Sequence, residues 1–224
     1  MIFETHAHYD DDRFNEDRDA LLRSLPEEGV GVVINSGASV ESTRDTIRLA
    51  KEYAHVYAAV GVHPSEISEL DETFIDWMRE QASWAKTVAI GEIGLDYYWD
   101  KEPEVQERQR YWFGRQIELA REIGLPIIVH SRDAAADTMQ VMKEHHAEEI
   151  PGVIHCFSYS KEMALEFIKM GYYIGVGGVV TFKNAKKLIE TVEAIPLERI
   201  LLETDCPYMA PEPYRGKRNN SLYL

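Results

Sequence analysis

Eight short apolar runs, rich in valine and isoleucine, alternate with seven amphipathic segments along the chain, and this alternation constrains the fold most. Near-continuous apolar runs are typical of strands buried on both faces of a parallel sheet. The repeated strand–helix order predicts right-handed crossovers, and eight strands favour closure into a TIM-type (β/α)8 barrel of the α/β class. The predicted strands are Met1–Thr5, Val30–Asn35, Val56–Val62, Thr87–Ile93, Pro126–His130, Gly152–Phe157, Tyr172–Val180 and Ile200–Thr204. The predicted helices are Asn15–Leu25, Glu41–Tyr53, Glu72–Trp84, Glu104–Ile123, Ala134–His146, Lys161–Met170 and Ala185–Ala194.

No linker or low-complexity stretch interrupts the pattern, so we expect one domain over residues 1–224. Ser39 and Asp71 are predicted N-caps, and Gly124 and Gly171 are predicted helix ends. The eighth helix of the barrel is absent from the sequence pattern, because the last segment is rich in proline and asparagine. Either the chain is a short form of the barrel, or another surface covers the gap between the first and seventh helices.

The composition narrows the class of protein. A net charge of −15 argues against a general nucleic-acid binder, since phosphate binding draws on a basic surface, but bound divalent ions can reverse the local field. The first residues lack the pattern of a signal peptide, and no apolar run reaches the roughly 18 residues of a membrane span. Two cysteines do not suggest a disulfide framework. We therefore expect a cytoplasmic protein.

A His-x-His pair ends the first predicted strand. Because side chains alternate across a strand, His6 and His8 are expected on one face, where both imidazoles can chelate one divalent ion. Glu4 is expected on the same face. Alone, the pair could be two ordinary polar residues, but matching residues at later strand ends favour the metal interpretation.

Carboxylates stand at two further strand ends, and we predict both to be catalytic. Glu92 lies inside an apolar strand, where a buried acid is costly unless it is paired or metal-bound, and its two oxygens could bridge two ions. The alternative for Glu92 is a salt bridge to Arg132. Asp205 precedes a proline turn and could bind a metal and take a proton from the attacking water. Its alternative is a loop or N-cap aspartate.

Histidines mark three other strand ends. His130 and His155 have the positions expected of metal ligands, and the alternative for His130 is a satisfied core histidine. Arg132, on the same face as His130, carries a guanidinium that suits a phosphate oxyanion. His63 could be a ligand, a substrate contact or a structural histidine. The C-terminal ends of barrel strands lie on one rim, so these side chains should converge.

The size of this set indicates two divalent ions. Four to six ligands exceed the roughly three protein ligands of a catalytic zinc site. Two ions about 3.5–4 Å apart, bridged by Glu92, would use the whole set and activate water for an in-line displacement at phosphorus. Mixed imidazole and carboxylate ligands suit zinc, manganese or, less well, magnesium. The predicted ligands are His6, His8, Glu92, His130, His155 and Asp205.

These motifs resemble those of the TatD-type metal-dependent deoxyribonucleases, which belong to the amidohydrolase-like TIM-barrel enzymes. The resemblance covers Met1 to about Asn219, and five ordered motifs make it highly specific. It rests on Glu4-Thr5-His6-Ala7-His8, Gly91-Glu92-Ile93-Gly94-Leu95-Asp96-Tyr97, His130-Ser131-Arg132, His155-Cys156-Phe157 and Thr204-Asp205-Cys206-Pro207, with a late basic motif at Arg215-Gly216-Lys217-Arg218-Asn219.

The resemblance implies a ligand set for each ion and a substrate. One ion would be held by His6, His8, Glu92 and Asp205, and the second by Glu92, His130 and His155. The implied reaction is phosphodiester hydrolysis of DNA, often as a 3′–5′ exonuclease. Substrate phosphate would meet His63, Arg132, Arg215 and Arg218. The chain departs from the family at Glu4, where aspartate is usual and a longer side chain could shift the His-x-His strand, and in lacking a last helix.

Three aromatic residues and two rival functions complete the sequence interpretation. Tyr97, Tyr98 and Trp99 follow the Glu92 strand and could stack the bases of a single strand or a DNA end, or could simply pack within a loop. One rival function is a related barrel hydrolase that acts on a carboxyl ester, lactone, amide or aminoacyl-tRNA ester. The other is a non-catalytic partner protein that keeps the barrel.

Overall fold

A computed structural model describes residues 1–224 and shows eight parallel strands in one sheet, ordered β1 to β8, with helices between them. This arrangement confirms the predicted TIM-type barrel. The strands are β1 (Ile2–Ala7), β2 (Val30–Ser36), β3 (Val56–Val60), β4 (Thr87–Asp96), β5 (Ile127–Arg132), β6 (Gly152–Ile154), β7 (Tyr173–Val176) and β8 (Ile200–Leu202). The helices are α1 (Arg18–Ser24), α2 (Val40–Glu52), α3 (Glu72–Gln81), α4 (Pro103–Ile123), α5 (Ala135–Glu144), α6 (Lys161–Lys169) and α7 (Lys186–Ala194).

Burial on both faces explains why the strands are apolar at consecutive positions. In β5, Ile127 and Val129 belong to a large cluster of 45 buried residues, whereas Ile128 between them belongs to a small cluster with Ala59 and Ala89. Alternate residues of a strand therefore pack against two separate sets of apolar side chains. No helix in the structure is long and apolar enough to cross a membrane.

The predicted helix boundaries are set by local hydrogen bonds. The side chains of Ser39 and Asp71 accept from the backbone N–H groups of Ser42 and Phe74, so both predicted N-caps are confirmed. Gly124 ends α4 with φ of 71°, a left-handed conformation that glycine adopts without the usual steric cost.

Several strands end at other residues than the sequence pattern predicts. β4 continues past Ile93 to Asp96, and β6 stops at Ile154, shortly before the backbone of Cys156 turns to φ of 43°. The apolar run of β7 is too long in the prediction, because residues Gly178–Thr181 form a 3-10 helix. Hydrophobicity does not distinguish a strand from the buried turn that follows it.

β1 and β8 are joined through the chain that follows β8. The Asp205 N–H donates to the His6 carbonyl at 3.0 Å, and the His8 N–H donates to the Cys206 carbonyl at 2.8 Å. No α-helix follows β8, and the chain instead returns to the barrel, where Asn219 and Ser221 are fully buried. Asn219 donates through Nδ2 to the Thr204 carbonyl at 2.9 Å.

Candidate metal centre

The six predicted ligands lie together at the C-terminal ends of the strands. One comes from β1 and one from the residue after its end, one each comes from β4 and β5, and the other two come from the turns after β6 and β8. A parallel barrel places all of these ends on one rim, which is why residues far apart in sequence can meet. The six are His6, His8, Glu92, His130, His155 and Asp205.

The first group of ligand atoms is formed by the His-x-His pair and Asp205. The Nε2 atoms of His6 and His8 lie 3.0 Å apart, and each lies 3.4 Å from Glu92 Oε2. Asp205 Oδ1 is 3.4 Å from His8 Nε2 and 3.8 Å from His6 Nε2. Asp205 has φ of 56°, which aspartate tolerates better than most residues.

The second group surrounds the other oxygen of the same glutamate. Glu92 Oε1 lies 2.8 Å from His130 Nδ1 and 2.8 Å from His155 Nε2. His63 Nε2 is 3.8 Å from the same oxygen, and the ring of His63 packs edge-on against His130 with centroids 4.3 Å apart. Glu92 therefore stands between two sets of imidazoles, with one oxygen facing each set.

The electrostatic balance of the centre favours an ionised Glu92. Burial opposes ionisation, but the positive charge of His155, with hydrogen bonds from His130 and His155, outweighs it and holds the Glu92 pKa well below its usual value. No ion pair joins Glu92 to Arg132, so the alternative role considered for Glu92 is wrong. Burial likewise opposes ionisation of Asp205, whose pKa the hydrogen bond from His8 nevertheless keeps low.

Glu4 does not share the face of the His-x-His pair, and that expectation is wrong. Between Glu4 and Ala7, β1 has one residue more than the paired stretch of β2, so a bulge interrupts the alternation of side chains. The Glu4 carboxylate accepts hydrogen bonds from the Thr204 N–H and hydroxyl, at 2.9 and 2.6 Å, and from the Ser221 hydroxyl at 3.0 Å. It lies beside the returning C-terminal segment instead of the metal centre.

The predicted substrate-binding residues occupy different environments. His63 Nδ1 accepts from the Ser65 N–H at 3.2 Å beside the centre. The Arg132 guanidinium lies over the Tyr98 ring at 3.9 Å, at the end of β5. Arg215 lies 4.1 Å over the Phe182 ring in the segment after β7, where no contact with the six ligand residues is seen.

Arg218 is occupied by another partner. Its guanidinium donates to both carboxylate oxygens of Asp17, at 2.6 and 2.7 Å, and to the Arg13 carbonyl at 2.8 Å. It thereby fastens the C-terminal segment to the start of α1. A bidentate ion pair already uses donors of Arg218, so this geometry does not support the prediction that Arg218 meets substrate phosphate, which stays a prediction.

Two carboxylates beside the centre were not assigned from the sequence. Asp96 Oδ2 lies 3.0 Å from His130 Nε2, and Glu203 Oε1 lies 3.5 Å from His155 Nδ1. Each touches the imidazole nitrogen that faces away from Glu92. The signal that identified Glu92, an acid within an apolar strand, was also present at Asp96 and Glu203.

The family whose sequence pattern matches this chain is described as "TatD related DNase", and the match spans residues 3–224. The chain belongs to the TatD-related DNase family. An uncharacterized metal-dependent hydrolase of Bacillus subtilis, YabD, is 42% identical over the whole chain, which covers 87% of that protein. The uncharacterized metal-dependent hydrolase YcfH of Escherichia coli is 35% identical over 98% of the chain and 82% of its own length.

A solved TatD structure agrees with the fold described above. The crystal structure of YjjV, a TatD homologue from Escherichia coli, aligns with a TM-score of 0.90 at 33% identity, covering 99% of this chain and 85% of that one. The TatD resemblance and the barrel fold inferred from the sequence are therefore confirmed. The chain is a member of a family of metal-dependent hydrolases.

Proposed function

We propose that this TatD-family protein hydrolyses phosphodiester bonds in DNA with two divalent metal ions. The observation that carries the proposal is the placement of Glu92, whose two oxygens each face a separate group of ligand atoms. A buried carboxylate between two sets of imidazoles is the donor arrangement that a pair of ions about 3.5–4 Å apart requires.

The residues present fit such a pair. His6, His8 and Asp205 would hold one ion together with Glu92, and His130 and His155 would hold the other with the same glutamate. Imidazole and carboxylate donors suit zinc or manganese better than magnesium. Bound ions of this kind lower the pKa of water and neutralise charge on a transferring phosphoryl group.

Asp205 is the proposed proton acceptor for the attacking water. Its side chain is 15% exposed, against 4% for Glu92, so of the two it has the better access to solvent for passing a proton on. Its low pKa keeps the carboxylate ionised at neutral pH, as an acceptor must be. Glu92, almost enclosed, serves to hold the centre together.

His63 is proposed to donate a hydrogen bond to a substrate phosphoryl oxygen. Burial and the charge of His130 lower its pKa to about 3, so the ring is neutral at physiological pH. Because Nδ1 accepts from the Ser65 N–H, the single ring proton sits on Nε2, which points toward Glu92 and the centre. A neutral N–H donor there would orient the phosphate without competing with the ions for charge.

The aromatic residues next to the centre support a single-stranded or end-bound substrate. Trp99 is 65% exposed and Tyr98 is 43% exposed, and the Arg132 guanidinium stacks on Tyr98. Exposed rings beside a cation can stack bases and meet phosphate, whatever the base sequence. Tyr97 differs from these two residues. Its hydroxyl donates a hydrogen bond to Asp137 at 2.7 Å, so Tyr97 serves the packing of the loop. We extend the proposal to 3′–5′ exonuclease polarity, which the family resemblance implies.

A cleavage assay on end-labelled oligonucleotides tests this function. With manganese, a 5′-labelled single strand should yield a ladder of shortened products, whereas a chelator should abolish cleavage. Glu92→Gln and Asp205→Asn should each lower the rate about 100-fold or more, since each removes an ion-bridging or proton-accepting group. Glu166→Gln, at an exposed acid on α6, is the matched control.

Two results would contradict the proposal. Full cleavage by Glu92→Gln would show that the activity does not use this centre. Turnover of carboxyl esters or lactones, with no DNA cleavage under the same conditions, would instead assign the chain to the rival class of barrel hydrolases.

A further inference from the structure

We propose that Asp96 and Glu203 are positioning residues that fix the tautomers of His130 and His155, so that the ion at these two histidines depends on a pair of outer carboxylates. The ion at His6 and His8 lacks such support. The inference rests on the metal centre of the proposed function, but it does not depend on DNA being the substrate.

His130 is held from its far side by Asp96. Asp96 is 1% exposed, and its Oδ1 accepts the N–H groups of Tyr98 and Trp99 at 2.9 and 3.0 Å, which fixes the carboxylate in place. Its other oxygen lies 3.0 Å from His130 Nε2. A carboxylate accepts but cannot donate, so Asp96 keeps a proton on Nε2, and Nδ1, which donates to Glu92 in the metal-free chain, is the nitrogen left for an ion.

His155 is held in the opposite sense by Glu203. Here Nε2 faces Glu92 and Nδ1 faces the Glu203 carboxylate at 3.5 Å. Both His155 Nδ1 and Glu203 Oε2 are buried without a hydrogen-bond partner. A buried unpaired donor costs about 1–3 kcal/mol, so the adjacent carboxylate is the natural acceptor for an Nδ1 proton.

The surrounding backbone is shaped to admit Glu203. A Cβ at Gly175 would lie 2.4 Å from Glu203 Oε2, so glycine at this position of β7 leaves room for the carboxylate where it stands. Glu203 Oε1 also accepts the Cys156 N–H at 2.5 Å, which ties the carboxylate to the turn that carries His155. The acid and the histidine are thus positioned by the same short segment.

The histidines of the first group rest on neutral oxygens. His6 Nδ1 lies 3.2 Å from the Ser36 hydroxyl, and His8 Nδ1 lies 2.9 Å from the Ser36 carbonyl. That group has Asp205 as a ligand carboxylate of its own, whereas the only ligand carboxylate beside His130 and His155 is Glu92. Outer carboxylates at the second group supply negative charge that its direct ligands lack, and they raise the basicity of both imidazoles.

The test is a calorimetric titration of the full chain with Mn²⁺, combined with ¹⁵N NMR of the histidine rings without metal. Asp96→Asn presents an amide N–H to His130 Nε2, so Nε2 should lose its proton and Nδ1 alone should keep one. It should weaken binding of the second ion about 10–100-fold, the range typical for loss of such partners, and leave the first within about twofold. Glu203→Gln keeps an acceptor oxygen, so we expect a smaller loss of affinity for the second ion.

Ser36→Ala is the matched variant for the first group, and it should weaken binding of the first ion only. Equal losses at both steps in Asp96→Asn, or unchanged tautomers together with unchanged affinities, would overturn the inference. If Asp96→Asn fails to fold, Glu203→Gln decides by the same two readouts. Selective loss of the second ion in a protein that never cleaves DNA would refute the proposed substrate and leave this inference standing.

Discussion

At the scale of single residues, burial decides the chemistry of the acids. Glu92 and Glu4 are both buried, yet their pKa values shift in opposite directions. Histidine charges surround Glu92 and lower its pKa, whereas Glu4 faces only hydroxyl and amide donors, and burial raises its pKa to about 7. An acid that meets cations can bind metal, and one that meets only neutral donors becomes a structural group.

The raised pKa of Glu4 predicts a pH-dependent stability. Because the folded state holds this proton more tightly than the unfolded chain, its contribution is complete below pH 4.5 and is lost as pH rises through about 7. The shift corresponds to about 3 kcal/mol. Relative to Glu4→Gln, the native chain should therefore lose stability between these pH values, as measured by urea unfolding with chelator present.

Glu166→Gln, at an exposed site, should retain the native profile in the same experiment. Parallel stability curves for the native chain and Glu4→Gln would show that Glu4 does not change its protonation in this range, and would contradict the account of its burial.

At the scale of secondary structure, departures from regular strands build the centre. The bulge in β1 separates Glu4 from the His-x-His pair, and β4 runs beyond Glu92 to Asp96, which reaches the far side of His130. Gly94 has φ of 149° and lies against the His130 carbonyl, where a Cβ would collide with the oxygen. Glycine therefore allows β4 and β5 to approach at the point where both contribute side chains.

Gly94→Ala tests this packing of the two strands. The substitution should lower the free energy of unfolding by about 1–3 kcal/mol, because it combines a strained φ with a clash against backbone that cannot rotate away. It should also displace His130 and weaken Mn²⁺ binding. Gly124→Ala provides the comparison, since that position also has positive φ but no atom within 4 Å of an added Cβ. Comparable metal binding in both variants would contradict a role for Gly94 in placing His130.

At the scale of the whole molecule, the centre and the C-terminal segment both connect distant parts of the barrel. The ligands come from β1, β4, β5 and the turns after β6 and β8, so a bound ion would link most of the sheet. The C-terminal segment adds a separate link, since Ser221 joins Tyr9 and Glu4 by hydrogen bonds and Arg218 pairs with Asp17. It lies beside β1 and β8, although no α-helix follows β8.

Metal binding should therefore stabilise the entire fold. An ion at 100 times its Kd contributes about 2.7 kcal/mol, which for a chain of this size raises Tm by about 5–10 °C. Thermal unfolding with Mn²⁺ or with chelator measures this increase in Tm, and Glu166→Gln should show the full increase. Glu92→Gln should lose most of the shift. A full shift in Glu92→Gln would mean that the stabilising ions bind elsewhere.

The barrel and the meeting of the six ligand residues follow from the amino-acid sequence alone. Alternating runs specify the strands and helices, and a parallel barrel brings every strand end to one rim, so His6 and Asp205 become neighbours whatever the local details. The local details needed the tertiary structure. Three of these details depend on packing between distant segments. They are the bulge that turns Glu4 away from the metal centre, the ion pair of Arg218, and the contacts of Asp96 and Glu203 with the two histidines. Hydrophobic periodicity carries no information about such contacts, because it records which face of an element is buried and not what that face meets.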